Sequence, residues 1–174
     1  LNKTDRIWSI DPIDGTMNFD HQKQDFAISI GIYHQGIGEI GYIYDVMNNN
    51  LFGALRGNGA YKNNVKLPSL EKDDLSLDES MVSFSHRWLM KNNFVNERTM
   101  QQLVRDVRGV RSYGSAALGF ARVAEGALDA YITMRLEPWD IAAGRIIVNE
   151  VGGITTDVRG KEIGLLERSS VISA

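Results

Sequence analysis

The sequence predicts an α/β chain that is sheet-rich in its first part and alternates helix and strand in its second. Apolar runs at 26–33 and 37–44 flank His34-Gln35-Gly36 as a hairpin. An acidic stretch, Glu71-Lys72-Asp73-Asp74, reads as a surface linker, so the change of architecture falls within residues 68–79. Beyond it, Ser115 and Asp140 each precede an apolar run of helical spacing. The expected units are 1–78 and 79–174.

Taken in order, Arg6-Ile7-Trp8-Ser9-Ile10 reads as a strand that Asp11 and Pro12 bring to a stop. Asp14-Gly15 is a tight-turn pair. After the hairpin, Asn48-Asn49-Asn50 marks a turn before a strand at Leu51, and Gly57-Asn58-Gly59 another turn. That glycine pair is not a phosphate loop, because it lacks the Lys-Ser/Thr and the following helix. Met81-Val82-Ser83-Phe84 begins a new strand. Ser115 is placed to cap a helix running through Leu118, Phe120, Ala121, Val123 and Ala124. Asp140 is placed at the N-cap of a helix that runs through Ile146, Ile147 and Val151 and ends at Gly152-Gly153. Trp8, Trp88 and Trp139 read as packing residues, Trp139 also as support for Asp140.

The stretch from Asp11 to Phe19 sets two carboxylates, a turn with outward-facing amides and a hydroxyl at one strand end. Hard divalent cations take oxygen ligands of this kind, and amides serve an anion beside them. An acidic side chain at a helix start, such as Asp140, is usually structural, but it also stands where the helix dipole favours phosphate.

Asp11-Pro12-Ile13-Asp14-Gly15-Thr16 and Trp139-Asp140-Ile141-Ala142-Ala143-Gly144, running on to Glu150-Val151-Gly152-Gly153, resemble the two aspartate signatures of the inositol monophosphatase family. Those proteins are magnesium-dependent, lithium-sensitive phosphomonoesterases. The segments 37–46, 51–54 and 56–61 are similar to the family as well. The resemblance implies a layered α/β sandwich of the sugar-phosphatase class, ordered αβαβα, with the N-terminal helices missing here. It implies Asp11, Ile13, Asp14 and Asp140 as ligands of two or three Mg²⁺ ions, with Asp11 bridging and Ile13 acting through its carbonyl. The catalytic set is then Asp11, Asp14, Thr16 and Asp140, where Thr16 orients the attacking water. Phosphate oxygens would rest on the amides of Gly15 and Thr16. Gly114, Ser115 and Ala116 would line the pocket for the rest of the substrate, joined by Thr133 and Arg135.

Thr133 stands where inositol-specific members carry a glutamate, and Arg135 beside it favours a substrate with a second phosphate. The resemblance therefore implies inositol 1-phosphate first, with NADP, fructose 1,6-bisphosphate or a phosphoadenosine nucleotide as alternatives. A regulatory binding module is the reading from another class. The family's Gly-Glu-Glu segment, which supplies a further metal-ligand glutamate, has no counterpart among the residues before Asp11. A chain lacking its N-terminal helices is thus expected, and expected to be a poor catalyst by itself.

Composition excludes more than it identifies. Zero cysteine removes disulfides, thiolate catalysis and cysteine zinc sites, and fits a cytoplasmic protein. The longest charge-free stretch, Phe26–Gly38, is 13 residues, short of the roughly 18 of a membrane span. A net charge of −3 gives no nucleic-acid footprint, and the Arg105, Arg108 and Arg111 cluster reads as a solvated face. His21, His34 and His86 are not spaced as metal ligands, and no nucleophile elbow is present. The partners expected are a small phosphorylated substrate and a second copy of the chain, with neither nucleic acid nor membrane.

Overall fold

A computed structural model describes residues 5–70 and 75–174, so the expected linker at 71–74 lies outside the described residues. The first sheet is a six-stranded antiparallel meander, β1 (Arg6–Asp14), β2 (Ala27–His34), β3 (Ile37–Asp45), β4 (Asn50–Leu55), β5 (Ala60–Lys62) and β6 (Val65–Lys66), in that spatial order. Short turns join β2 through β6, so these chain neighbours are sheet neighbours, while a longer link joins β1 to β2. Gln35 and Gly36, at φ 55° and 80°, form the two-residue turn whose twist matches the strands it joins. A six-residue helix, α1 (Thr16–His21), follows β1 directly.

β1 does not stop at Asp11. It runs on to Asp14, with its register against β2 shifting between Asp11 and Asp14. Pro12 is tolerated there because β1 is an edge strand, so the missing N–H need not remove a ladder bond. The irregularity sets Asp11 and Asp14 at the strand's end and leads into α1.

The second sheet is five-stranded and mixed, ordered β10 (Thr155–Thr156), β11 (Ser169–Ser173), β9 (Ala130–Leu136), β7 (Met81–Ser83), β8 (Gly109–Arg111). β7 is parallel to both β8 and β9. The remaining helices are α2 (Glu97–Asp106), α3 (Ala116–Ala124) and α4 (Pro138–Glu150). α3 and α4 lie between the sheets and contact both, while α2 packs on the far side of the second sheet through Met100. The layers are therefore sheet, helices, sheet, helix. α3 buries nearly every residue, as a helix between two sheets must. One core cluster joins Ile43 and Phe52 of the first sheet to Phe120, Ile147 and Val171.

Close approach of α4 to the first sheet explains two strand glycines. A Cβ on Gly31 would sit 2.8 Å from Ala142 Cβ, and one on Gly41 2.7 Å from the Ala143 carbonyl. Strand side chains alternate, so the neighbours of these glycines point away from α4. On that outer face Trp8 lies opposite Ile32, Ile32 opposite Ile40, and Ile40 opposite Leu55. Trp8 is consequently 63% exposed, and Trp139 at the start of α4 is 46% exposed. Neither is a packing residue; only Trp88 packs, against the smaller core cluster with Val82 and Phe84. No helix among the described residues is long and apolar enough to cross a membrane.

A carboxylate trio beside a cleft

Asp11, Asp14 and Asp140 come together from two distant parts of the chain, each offering a carboxylate oxygen within 4.8 Å of the other two. Each is also held by the fold. Asp11 Oδ1 accepts the Ile13 N–H at 3.0 Å, and Thr16 Oγ1 donates to the Ile13 carbonyl at 3.1 Å, tying the turn to the start of α1. Gly15 makes that turn possible at φ 87°, where an added Cβ would also meet the Asp25 carbonyl at 3.0 Å.

Asp14 is 7% exposed. Its Oδ2 accepts the Ser115 hydroxyl and, at 2.7 Å, the Ala117 amide. Ser115 Oγ in turn accepts the Leu118 amide at 3.1 Å as the N-cap of α3, as its sequence position led us to expect. The serine hydroxyl is thereby committed to Asp14 and the helix end. Burial pushes the Asp14 carboxyl up to about 6, against its Ser115 and Ala117 hydrogen bonds and with help from the Asp11 charge.

Asp140 is not an N-cap. α4 begins at Pro138 with Glu137 as its cap, and Asp140 is the third helical residue, whose Oδ2 accepts the Glu137 N–H at 2.9 Å in a capping box. Proline favours the first helical turn, which moves the helix start upstream of the expected position. Burial raises the Asp140 carboxyl too, with Asp14 and Asp11 adding repulsion. Three crowded acids, all oxygen donors, suit a hard divalent cation, whose charge would relieve their repulsion. The donor set fits Mg²⁺ without any nitrogen or sulfur ligand.

From Asp14 a cleft of about 1050 Å³ opens toward the second sheet. Gly114, Ser115, Ala116, Thr133 and Arg135 line it, so the structure brings these five together with Asp14. Gly114 takes φ 74°, and a Cβ there would lie 2.9 Å from the Asn18 amide nitrogen. That amide donates to the carbonyls of Asp25, at 2.8 Å, and Tyr113, at 2.6 Å, fastening α1 to the segment before α3. Asn18 fell within the Asp11–Phe19 stretch without a role of its own, and the cleft residues Arg87, Lys91 and Tyr131 were given none in the sequence. They reach the cleft only because strands far apart in the chain pair side by side. Arg105, Arg108 and Arg111 are not among its lining residues.

The family model described as the inositol monophosphatase family matches residues 1–174. The chain belongs to the inositol monophosphatase family. It is 50% identical over 167 residues to the inositol-1-monophosphatase of Bacillus subtilis (strain 168), covering 96% of this chain and 62% of that protein. To the fructose-1,6-bisphosphatase/inositol-1-monophosphatase of Thermotoga maritima it is 37% identical over 173 residues, which is 99% of this chain and 65% of that relative. The structure of staphylococcal SaIMPase-II bound to inositol monophosphate superposes with a TM-score of 0.93 at 40% identity, covering 99% of this chain and 66% of that one. This family member thus spans a little under two thirds of the relatives it matches, and its layers are those of the family's α/β fold.

Proposed function

We propose that the protein carrying this chain hydrolyses small phosphate monoesters with Mg²⁺, inositol 1-phosphate first among them. The observation that carries this is the carboxylate trio, whose buried member Asp14 lines the cleft. Asp11, Asp14, Asp140 and the Ile13 carbonyl would hold two or three Mg²⁺ ions. Mg²⁺ held there would supply positive charge to offset the negative charge of the phosphoryl group.

The chain's own groups do the rest. The amides of Gly15 and Thr16 hold phosphate oxygens, and the Thr16 hydroxyl orients the attacking water from a turn fixed by its bond to Ile13. Ser115 and Ala117 fix Asp14, so a ligand oxygen need not be immobilised during the reaction. Gly114, Ala116 and Thr133 meet the rest of the substrate. The division into 1–78 and 79–174 belongs to this reading, supported by the change of sheet after β6. So do lithium sensitivity, a homodimer and a cytoplasmic setting.

A second substrate class is favoured by Arg135 in the cleft wall: a monoester bearing a further phosphate, such as NADP or fructose 1,6-bisphosphate. Phosphate release from the full-length protein over inositol 1-phosphate, NADP, fructose 1,6-bisphosphate and a 3′-phosphoadenosine nucleotide tests both. We expect release that stops in EDTA, with inositol 1-phosphate giving the highest kcat/KM. No Mg²⁺-dependent release from any of the four would overturn the reading.

A further inference from the structure

We propose that Ser29 is a positioning residue for Asp11, its hydroxyl donating to that carboxylate when a cation is bound, an assignment that rests on the Mg²⁺-dependent reading of the trio.

Strand register places the serine. In the pairing of β1 with β2, Ser29 stands directly opposite Asp11, and two residues to one side Ala27 stands opposite Asp14. Two residues to the other side is Gly31, whose added Cβ would meet Ala142 of α4 at 2.8 Å. Side chains two apart along a strand share a face, and so do directly opposed ones, so Ser29 faces the helix layer together with Asp11. Asp11 thus lies across the ladder and Asp14 one inward-facing pair further on. α4 brings Asp140 to the same end of the strand pair, with a carboxylate oxygen within 4.8 Å of the other two. The other register partner of Ser29 is Ile43, apolar and fully buried, so the side-chain acceptors beside the serine lie on the Asp11 side.

Ser29 is 1% exposed, and its Oγ has no hydrogen-bond partner among the described residues. Other buried polar side chains are spent: Asp45 on Asn48, Ser80 on the Ser76 carbonyl, Ser115 on Asp14, and Thr155 and Ser173 on each other. A buried hydroxyl without a partner is destabilising, and alanine would fill the same space without that cost, so the unpaired donor points to a role outside folding. Asp14 is fixed by donors from another element, Ser115 and Ala117, whereas Asp11 accepts the Ile13 amide of its own turn. Ser29 supplies the matching donor from the neighbouring strand. Carboxylates that ligate metals are held by such hydrogen bonds, which fix the oxygen each presents to the cation.

Mg²⁺ binding and thermal melts of the full-length protein test this apart from turnover. Ser29→Ala removes the hydroxyl and little else. That hydroxyl has no partner in the cation-free protein, so Tm in EDTA should hold or rise. The calorimetric Kd for Mg²⁺ should weaken by about ten-fold, the usual effect of removing a donor that holds a metal ligand. The rise in Tm that Mg²⁺ produces should shrink with it. Ser29→Cys keeps the volume with a poorer donor and should fall between wild type and Ser29→Ala. Should Ser29→Ala lower Tm in EDTA instead, the Kd of Ser29→Cys decides by the same criterion. A Kd within about two-fold of wild type would overturn the role of Ser29 and leave the carboxylate reading standing. If Mg²⁺ neither binds the wild-type protein nor raises its Tm, that reading falls, and the role of Ser29 with it.

Discussion

The two sheets contribute to the site in opposite ways. The first is a meander whose strands pair with their chain neighbours, and it delivers Asp11, Ile13, Asp14 and Thr16 from one continuous turn. The second orders its strands β10-β11-β9-β7-β8 and delivers the cleft from segments tens of residues apart. Two of the three clustered carboxylates thus come from a local motif at a strand end. Shape and charge for the remainder of a substrate come from non-local pairing. α3 and α4 connect the two, because the Ser115 cap of α3 clamps Asp14 and the first turn of α4 carries Asp140.

The sharpest way to break this comparison is to remove a ligand without disturbing the clamp. Asp14→Asn in the full-length protein should lower kcat by about a thousand-fold or more, since the proposed site would lose a carboxylate ligand for the cations that would offset phosphoryl charge. A loss confined to KM would show Asp14 to be a structural residue only.

The same acid gives the next largest effect, on stability. Its folded-state value of about 6 lies above the ordinary 3.8, so without metal the folded protein binds this proton more tightly than the unfolded chain does. Stability contributed by that proton is present below about pH 4 and lost as pH rises to about 6, some 3 kcal/mol if Asp14 acts alone. Thermal melts of the full-length protein in EDTA should show this decline, and Mg²⁺ should raise Tm more at pH 8 than at pH 5. Asp14→Asn should make the decline shallower, leaving the part due to Asp140, and an unchanged slope in that variant would remove the assignment.

The junction between the sheets can be tested at Gly144, where an added Cβ would overlap the Phe120 ring. Gly144→Ala should destabilise by about 1–3 kcal/mol through overpacking, despite alanine's better helix propensity. Denaturant melts that show a stabilised variant would mean that α3 and α4 can part freely.

The smallest expected effect concerns the outer face of the first sheet, which carries Trp8, Ile10, Tyr42 and Leu55, each more than 40% exposed. Such a face favours self-association. Trp8→Ser with Leu55→Ser in the 174-residue chain should reduce association measured by light scattering, with a change in stability within about 0.5 kcal/mol per site. Unaltered association would place the sticky surface elsewhere.

Much of the first sheet was legible in the residues themselves, because hairpins are decided by neighbours in sequence: alternating apolar runs and a turn such as Gln35-Gly36 suffice to set them. The Asp11–Thr16 turn was legible for the same reason, as was the Ser115 cap. Local signals misplaced the end of β1, where the edge position of Pro12 lets the strand continue, and the start of α4, where Pro138 and Glu137 set the cap. What the sequence by itself determined was therefore the α/β character, the Asp11–Thr16 turn and the family signatures. Only the tertiary structure decided that Asp140 meets Asp11 and Asp14, that Ser115 spends its hydroxyl on Asp14, and that Arg87 and Lys91 share a cleft with Arg135. Those contacts depend on parallel strand pairing and on helices buried between two sheets, and no interaction between chain neighbours encodes them.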